Sequence, residues 1–368
     1  MIPVNEPIIG ERELEYVTEC LRTGWVSSAG HFLRDFERAW AAYCDMANGV
    51  AVCNGTAALD VAVRCLSLGP GDEVIMPSLT IISCAQAVVR HGARPVLVDC
   101  DPETWCMDVE AVREAVTPAT KAIMVVHMYG HPVDMDQIQA IARDHHLAVI
   151  EDAAEAHGAE YKGRRCGGFG DVSAFSFYAN KVVTTGEGGM LLTNDEGKAA
   201  QARAYRNLCF REDRRFYHTE LGANYRMTNV QAAIGLGQLE RVDEIVAHKR
   251  RMAAEYKSRL ADVAGLQLPS EREWARSNYW MYAVVVDEIT GLTGESFSAQ
   301  LKERGIESRP FFLGMHEQPA FHRLGLFAGE HYPVTERVSR QGVYLPSGNA
   351  LTALQVEEVC AAILEVIK

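Results

Sequence analysis

The sequence lacks the glycine fingerprints of the two commonest nucleotide-binding loops. Neither G-x-G-x-x-G nor G-x-x-x-x-G-K-[ST] occurs, and Gly197-Lys198 is followed by Ala199 rather than by serine or threonine. A nicotinamide-dependent enzyme and a P-loop nucleotide hydrolase are therefore both disfavoured. Any phosphorylated ligand must be bound by a different kind of turn.

Basic charge and long apolar runs are also scarce. Lys and Arg number 36 against 49 Asp and Glu, which gives a net charge of −13. A nucleic-acid partner is disfavoured because phosphate neutralisation needs a basic surface. The longest apolar runs, such as residues 122–126, are strand-sized, so no membrane segment is predicted. The first ten residues lack a basic start followed by an apolar run, so we expect no signal peptide and a cytoplasmic location.

Cysteine pairs at metal-ligand or redox spacing are absent as well. The ten cysteines are scattered, and none form Cys-x-x-Cys. This pattern predicts reduced thiols. His127 and His131, and the pair His145 and His146, have no carboxylate at ligand spacing, so the sequence predicts no metal site.

The chain does contain short β-rich runs that alternate with helical patterns between residues 30 and 235. Strand–helix alternation predicts an α/β fold with a mostly parallel sheet covered by helices. A helix is also expected over residues 10–21, and two of the intervening helices over residues 57–68 and 135–145. The predicted strands are residues 49–53, 73–77, 95–99, 121–126, 148–152, 172–177 and 190–193.

The last third of the chain has a different pattern. Residues 228–264 are predicted to form one long or broken helix, for which Thr228 and Asn229 are candidate caps. Strands are expected over residues 279–287 and 306–312, and helices over 296–304 and 353–367. We therefore divide the chain into a large domain, residues 1–240, and a smaller C-terminal α+β domain, residues 241–368.

The first candidate site is the turn that begins Asn54-Gly55-Thr56, between a predicted strand and a helix. Unpaired N–H groups and the dipole at a helix start favour an anion there. Gly55 permits close approach of a ligand, and Thr56 adds a hydroxyl donor. A plain strand-to-helix turn with a cap is the alternative interpretation.

A second candidate is Asp152, which ends a predicted apolar strand. Ligands of open α/β sheets bind beyond the carboxyl ends of the strands. A carboxylate in this position can bind a cation or a ring N–H group. The alternative is a helix N-cap.

The third candidate is Lys181, which follows the apolar run 175–177 and precedes the glycine-rich turn 185–189. Burial would lower the pKa of this lysine and make its amine nucleophilic. An ordinary solvated lysine is the alternative. Together, the three candidates supply an anion site, an acid for a pyridine nitrogen and an amine for an aldehyde, which are the three requirements of pyridoxal 5′-phosphate (PLP).

With these motifs in place, the chain resembles the DegT/DnrJ/EryC1/StrS family of PLP-dependent sugar aminotransferases. The resemblance covers essentially the whole chain. It implies the type I PLP-transferase fold, with a large domain built on a mostly parallel seven-stranded sheet and a smaller C-terminal domain. The motifs that carry it are GWVSS (24–28), NGTAAL (54–59), GPGDEVI (69–75), IEDAAE (150–155), the segment 175–189, NYRMTN (224–229), ESRP (307–310) and LPS (345–347).

The resemblance also implies a role for individual residues. Lys181 would be the catalytic lysine that binds the cofactor's aldehyde. Asp152 would pair with the ring nitrogen, and Glu155 would lie near the ring hydroxyl. Asn224 would reach the cofactor of a neighbouring subunit, which implies a homodimer with a shared active site. The phosphate would be held by Gly55, Thr56 and Ser176, and looser candidates for substrate contacts are His316, Arg309, Trp25 and Ser28.

One position departs from the family pattern. Many relatives have an aromatic residue after the Ser-x-Thr stretch, where it stacks on the cofactor ring, but here Ser78-Leu79-Thr80 is followed by Ile81. Isoleucine can cover a ring face but offers no π-stacking. We expect altered cofactor affinity or electronics, or another residue that covers the ring.

Within the family, the motifs are most similar to those of the branch that forms GDP-perosamine. The implied reaction transfers an amino group from L-glutamate to C4 of GDP-4-keto-6-deoxy-D-mannose. A UDP- or dTDP-linked sugar, a 3-keto sugar, and a non-catalytic PLP-binding protein stay open as alternatives. A 3-dehydratase of the same family is disfavoured, since such enzymes typically have histidine in place of Lys181.

Overall fold

The computed structural model of the protein describes residues 1–211 and 213–367. Its helices and strands follow the alternation expected from the sequence. The helices are α1 Glu11–Thr23, α2 His31–Tyr43, α3 Gly55–Cys65, α4 Ser83–Arg90, α5 Val109–Glu114, α6 Met135–His145, α7 Glu196–Tyr205, α8 Asn229–Leu239, α9 Val242–Leu260, α10 Gly294–Glu303, α11 Pro319–His322, α12 Pro333–Gln341 and α13 Ala353–Ile367. The strands are β1 Asn48–Val52, β2 Glu73–Pro77, β3 Arg94–Val98, β4 Thr120–Val126, β5 Ala148–Asp152, β6 Glu160–Tyr161, β7 Arg164–Arg165, β8 Val172–Ser176, β9 Gly189–Thr193, β10 Leu266–Gln267, β11 Ala275–Arg276, β12 Ala283–Val286, β13 Arg309–Pro310 and β14 Gly342–Tyr344.

A seven-stranded sheet in the order β1-β9-β8-β5-β4-β2-β3 forms the centre of the fold. Strand β9 runs antiparallel to both of its neighbours, and the pairings from β8 through β5, β4 and β2 to β3 are parallel. The predicted α/β fold with a mostly parallel sheet is therefore confirmed. Because most strands share one direction, their carboxyl ends lie at a common edge, where ligands of such sheets bind.

The predicted bounds of the sheet strands agree closely with the structure. Strands β2 and β5 and helices α6 and α13 have the predicted limits. Strands β4, β8 and β9 differ by one residue at one end, and β1 and β3 are each shifted by one residue. These strands are apolar and almost continuously buried. Continuous apolar runs bounded by turn residues are typical of a sheet covered on both faces, which explains the agreement.

The last third of the chain differs more from the expectation. The predicted helix 228–264 breaks between α8 and α9, where the guanidinium of Arg241 binds Glu13 with a 2.7 Å contact. The predicted strand 279–287 shortens to β12, because Tyr279 has a φ of 49° and cannot continue an extended run. The strand expected over 306–312 is only β13, since Ile306 pairs with Ile2 instead.

Helix α9 contributes to two hydrophobic cores, one at each end of the helix. The first surrounds the seven-stranded sheet and includes Val242 and Val246 from the first turns of the helix. The second includes Tyr256 and Leu260 from its last turns, and it packs against α10, α13 and the sheet β10-β12-β14-β13. The division of the chain at residue 240 stays a prediction.

Within residues 1–211 and 213–367, no helix is both long enough and apolar enough to cross a membrane. The ten cysteines all lie in this part of the chain, and none of them is paired in a disulfide. Their reduced state stays a prediction. The expected cytoplasmic location stays a prediction.

Candidate active site

A cavity of about 450 Å³ opens at the carboxyl ends of the central strands, and it contains all three candidate motifs. A larger surface depression of about 930 Å³ beside α6 contains none of Gly55, Asp152 and Lys181. Chemistry rather than size therefore identifies the candidate site. The cavity is lined by Asn54, Gly55, Thr56, Leu59, Thr80, Ile81, Ser83, Val126, Asp152, Ala154, Glu155, Ala174, Phe175, Ser176, Tyr178, Asn180, Lys181, Glu187, Trp280, Phe312 and Tyr344.

The predicted anion turn lies at the start of α3. Asn54 caps this helix, since its Oδ1 accepts the Ala57 N–H at 2.8 Å. A Cβ atom on Gly55 would lie 2.7 Å from Cβ of Ser176, so only glycine lets α3 and β8 approach so closely. Thr56 Oγ1 lies 2.8 Å from the hydroxyl of Ser83 at the start of α4. The turn thus combines helix N–H groups with three hydroxyls, an arrangement suited to a phosphate.

Asp152 lies at the carboxyl end of β5, and only 2% of its surface is exposed. Its Oδ1 accepts the Ala154 N–H at 3.0 Å, and its Oδ2 accepts the thiol of Cys84 at 3.1 Å. Burial raises the pKa of this carboxyl, and these hydrogen bonds oppose that shift. The carboxylate is held at a fixed angle on the floor of the cavity.

Lys181 reaches the same cavity from the loop after β8. Its Nζ lies 3.7 Å from Oε1 of Glu155 and 3.6 Å from the centroid of the Trp280 ring. Burial lowers the pKa of Lys181 and raises the pKa of Glu155 to about 7. The N–H of Tyr129 donates to the other oxygen of Glu155 at 2.8 Å. Burial thus favours the neutral form of the Lys181 amine, which is the form that accepts a proton.

Hydrogen bonds on both sides hold the backbone that carries Lys181. The N–H of Val183 donates to Nδ1 of His157 at 3.1 Å, so this ring nitrogen is an acceptor. The carbonyl of Asn180 accepts Nε1–H of Trp280 at 2.7 Å. Burial lowers the pKa of His157 to about 3, so the ring is neutral. Lys181 therefore extends from a well-fixed loop.

Ile81 lines the cavity and is 40% exposed. Aromatic side chains line the cavity from other segments, which provides an alternative to the stacking residue that Ile81 lacks. These are Phe175, Tyr178, Trp280, Phe312 and Tyr344.

Three of the four candidates for substrate contacts do not line the cavity. His316 is buried, with Nδ1 2.7 Å from Ser78 Oγ and Nε2 3.3 Å from Glu336, so both ring nitrogens are already engaged. Arg309 is exposed and pairs with Glu307 at 2.6 Å. Trp25 is 57% exposed. Their substrate roles stay predictions, and burial of His316 disfavours a direct contact.

Ser28 and Asn224 are also absent from the cavity lining. Ser28 lines a depression of about 840 Å³ with several arginines, including Arg206 and Arg226. Asn224 is exposed, and its backbone pairs with Asn207. Neither residue lines the cavity of its own chain, which is what a role in a neighbouring subunit's site would require of Asn224.

One group of potential metal ligands forms only in the fold, and the expectation of no metal site stays a prediction. The sequence reveals no carboxylate near His127, but the fold brings His127, Glu151 and Cys166 together, with ligand atoms within 4.8 Å of one another. His127 Nε2 lies 2.9 Å from Glu151, whose Oε2 accepts the N–H of Phe169 at 2.8 Å and the hydroxyl of Ser173 at 3.0 Å. Burial raises the pKa of Glu151, but His127 and the backbone amides outweigh it and lower the pKa overall. These contacts make the cluster a structural link between β4, β5 and the turn before β8.

The cavity residues fit PLP. The cavity volume lies within the range of small-molecule sites, roughly 300–1,000 Å³. The hydroxyl-rich turn at Gly55 suits a phosphate, the buried carboxyl of Asp152 suits a protonated ring nitrogen, and the buried amine of Lys181 suits an aldehyde. The structure brings six of the predicted cofactor residues to this one cavity: Gly55, Thr56, Ser176, Asp152, Glu155 and Lys181. The sequence analysis did not identify Ser83 and Trp280, which also line the cavity, or Cys84, which contacts Asp152.

Known proteins resemble the chain over its full length. A GDP-perosamine synthase of Caulobacter vibrioides is 44% identical and covers 100% of this chain and 98% of the relative. A GDP-perosamine synthase of Escherichia coli O157:H7 is 40% identical over 99% of this chain and 98% of the relative. A solved protein from Streptococcus pneumoniae, described as a sugar aminotransferase in its PLP form, superposes with a TM-score of 0.93 at 25% identity, covering 100% of this chain and 98% of that one.

The family profile gives the same result. The profile of the DegT/DnrJ/EryC1/StrS aminotransferase family matches residues 7–364. This range includes the whole cavity and all buried residues of the two cores except Val4 and Ile2. The chain therefore belongs to the DegT/DnrJ/EryC1/StrS aminotransferase family, and it is a PLP-dependent enzyme.

Proposed function

We propose that this enzyme transfers the amino group of L-glutamate to C4 of GDP-4-keto-6-deoxy-D-mannose and so forms GDP-perosamine. The observation that carries the proposal is the meeting of Lys181, Glu155 and Asp152 in one buried cavity of a chain that is 40–44% identical to two GDP-perosamine synthases. Both relatives are covered almost completely, so the likeness extends to every element around the cavity.

PLP, when bound, supplies an aldehyde that takes up an amino group and a ring that stabilises negative charge beside it. The turn at Gly55, with the hydroxyls of Thr56 and Ser176, would bind its phosphate. Asp152 would keep a proton on its ring nitrogen, because a buried carboxylate strongly favours a cation beside it. These contacts fix the position of the cofactor relative to Lys181.

Lys181 would move the proton. As a neutral amine it can accept a proton from Cα of glutamate, and as a cation it can return a proton to the carbon of the sugar that receives nitrogen. Burial favours the neutral amine, whereas Glu155 at 3.7 Å favours the cation. Proton transfer in both directions requires that both states be accessible, and these two influences act in opposite directions on the balance between them.

A second copy of the chain would complete the site. Asn224 is exposed and does not line its own cavity, so we propose that it reaches the cofactor phosphate of a partner in a homodimer. A symmetric dimer would give two such shared sites.

The direct test is incubation of the PLP-loaded protein with glutamate labelled with ¹⁵N in its amino group. GDP-4-keto-6-deoxymannose would be compared with a dTDP-linked and a UDP-linked 4-keto-6-deoxy sugar. Mass analysis should find the label in the GDP-linked product, and NMR should place the nitrogen at C4. Turnover of only the dTDP- or UDP-linked ketone would contradict the proposed nucleotide, and nitrogen at C3 would contradict the proposed position.

Lys181→Ala tests the role of the lysine in this assay, and Lys257→Ala, which removes an exposed lysine, is the matched control. Lys181→Ala should form no labelled product, whereas Lys257→Ala should match the unmodified enzyme. Label transfer by Lys181→Ala would remove Lys181 from the proposed role.

A further inference from the structure

The thiol of Cys84 lies directly behind the carboxyl of Asp152. Cys84 is the second residue of α4 and is fully buried. Its Sγ lies 3.1 Å from Oδ2 of Asp152 and 3.3 Å from Oγ1 of Thr80, which lines the cavity. The sequence gives no sign of this contact, because positions 84 and 152 are 68 residues apart.

The direction of this hydrogen bond follows from the two environments. Burial raises the pKa of the Cys84 thiol well above its ordinary value, and the negative charge of Asp152 adds to the shift. The thiol therefore keeps its proton and donates a hydrogen bond to the carboxylate. Since Oδ1 of Asp152 already accepts the Ala154 N–H, each carboxylate oxygen has one donor within the protein. The two donors prevent the carboxylate from rotating about its Cβ–Cγ bond.

We propose that Cys84 is a positioning residue for the reaction, whose thiol holds Oδ2 of Asp152 at the angle needed to bind the protonated ring nitrogen of PLP. This inference rests on the role proposed above for Asp152 and extends it. Oδ2 can accept a second hydrogen bond on its cavity side, because a carboxylate oxygen has two lone pairs.

Several charged or hydrogen-bonding groups surround Asp152, and they affect its titration. Lys181 and Glu155 lie on the cavity side and His127 lies on the neighbouring strand β4 side, while Cys84 approaches from α4. The thiol hydrogen bond lowers the pKa of Asp152. Its removal should therefore raise that pKa in the protein without cofactor, where the ring nitrogen makes no contribution.

The first experiment is infrared difference spectroscopy on the cofactor-free protein. The S–H stretching band of Cys84 is isolated by subtraction of the Cys84→Ala spectrum, and it should shift when Asp152→Asn replaces the charged acceptor. The protonated carboxyl band of Asp152, isolated with Asp152→Asn, should titrate about half to one pH unit higher in Cys84→Ala. Cys84→Ser, which retains a donor, should return the titration most of the way to that of the unmodified protein. An S–H band that does not respond to Asp152→Asn would overturn the inference.

The second experiment uses the PLP-loaded enzyme and glutamate alone. Cys84→Ala should slow the glutamate half-reaction by about threefold to tenfold with little change in KM, since about 1 kcal/mol of orientation is lost in the proton-transfer step and a factor of ten corresponds to 1.36 kcal/mol. Cys84→Ser should recover most of the rate. Cys360→Ala is the control, because it removes another buried thiol from the second core.

The outcomes separate this inference from the proposed function. An Asp152→Asn enzyme with unchanged cofactor absorbance and rate would contradict the role of Asp152 itself. If Asp152→Asn is impaired while Cys84→Ala behaves like Cys360→Ala, the role of Asp152 stands and the positioning role of Cys84 is refuted.

Discussion

Glu155 is a cavity residue whose charge depends on the protein around it. Burial raises the pKa of its carboxyl to about 7, although Lys181 and the N–H of Tyr129 both favour the ionised form. Burial therefore outweighs two favourable contacts. The titrations of Glu155 and Lys181 are coupled, so a change in the charge of either residue alters the pKa of the other.

The raised pKa of Glu155 predicts how the stability of the cofactor-free protein changes with pH. The folded-state pKa of Glu155 lies above its ordinary value of 4.5, so the folded state binds the proton more tightly than the unfolded state. The stabilisation from this proton is complete below about pH 4.5 and is lost as pH rises through about 7. The unmodified protein should therefore lose about 1–3 kcal/mol of unfolding free energy over this range relative to Glu155→Gln.

Denaturant titrations at several pH values between 4.5 and 8 would measure this difference. Glu114→Gln is the control, since Glu114 is exposed on α5. If Glu155→Gln and the unmodified protein show parallel pH profiles, the raised pKa of Glu155 is wrong.

The residues that the sequence could predict are those within recognisable local motifs. Gly55, Asp152 and Lys181 each follow an apolar strand, so the parallel sheet alone places them at one edge. Trp280 could not be predicted, because its ring meets the Lys181 loop through a contact between residues 100 positions apart. Such contacts depend on packing that leaves no local pattern.

Helix α9 is the element that joins the two cores, and a buried lysine fastens it. The Nζ of Lys249 donates to the backbone carbonyls of Trp280, at 2.8 Å, and Ser347. Trp280 lines the cavity, and Ser347 follows strand β14 of the smaller sheet. The lysine therefore fixes the backbone of Trp280 behind Lys181.

Lys249→Ala should destabilise the fold by about 2–4 kcal/mol, because it leaves a cavity and two buried carbonyls without a donor. Chemical unfolding monitored by circular dichroism would measure the change. Lys257→Ala, on the exposed face of the same helix, should cost less than about 0.5 kcal/mol. Equal stabilities for the two variants would contradict the role assigned to Lys249.

The break between α8 and α9 shows where element prediction fails. No glycine or proline marks it in the sequence, since Glu240 and Arg241 are ordinary helix formers. The ion pair between Arg241 and the buried Glu13 is made only after α1 packs on α8. Tertiary packing thus overrides local propensity there, whereas it agrees with the strand patterns of the main sheet.

At the level of the whole molecule, the shared active site predicts complementation between two inactive variants. Lys181→Ala and Asn224→Ala should each be impaired as homodimers. In a hybrid dimer, one site would carry both changes and the other would carry neither. Random exchange of subunits should therefore restore about a quarter of the unmodified activity.

The measurement is activity after the two variants are mixed, partly unfolded and refolded together. Mixing Lys181→Ala with Asp152→Asn is the control, because both residues line the same chain's cavity and no hybrid site is intact. Restored activity in the control mixture, or none with Asn224→Ala, would contradict a site shared in this way.

The central claim is that Lys181 is the residue that binds the aldehyde of PLP. Borohydride reduction of the PLP-loaded enzyme, followed by digestion and mass spectrometry, tests it most directly. We expect a single pyridoxyl-modified peptide, with the added mass on Lys181 and its loss in Lys181→Ala. Modification confined to another lysine, with Lys181 unmodified, would contradict the account.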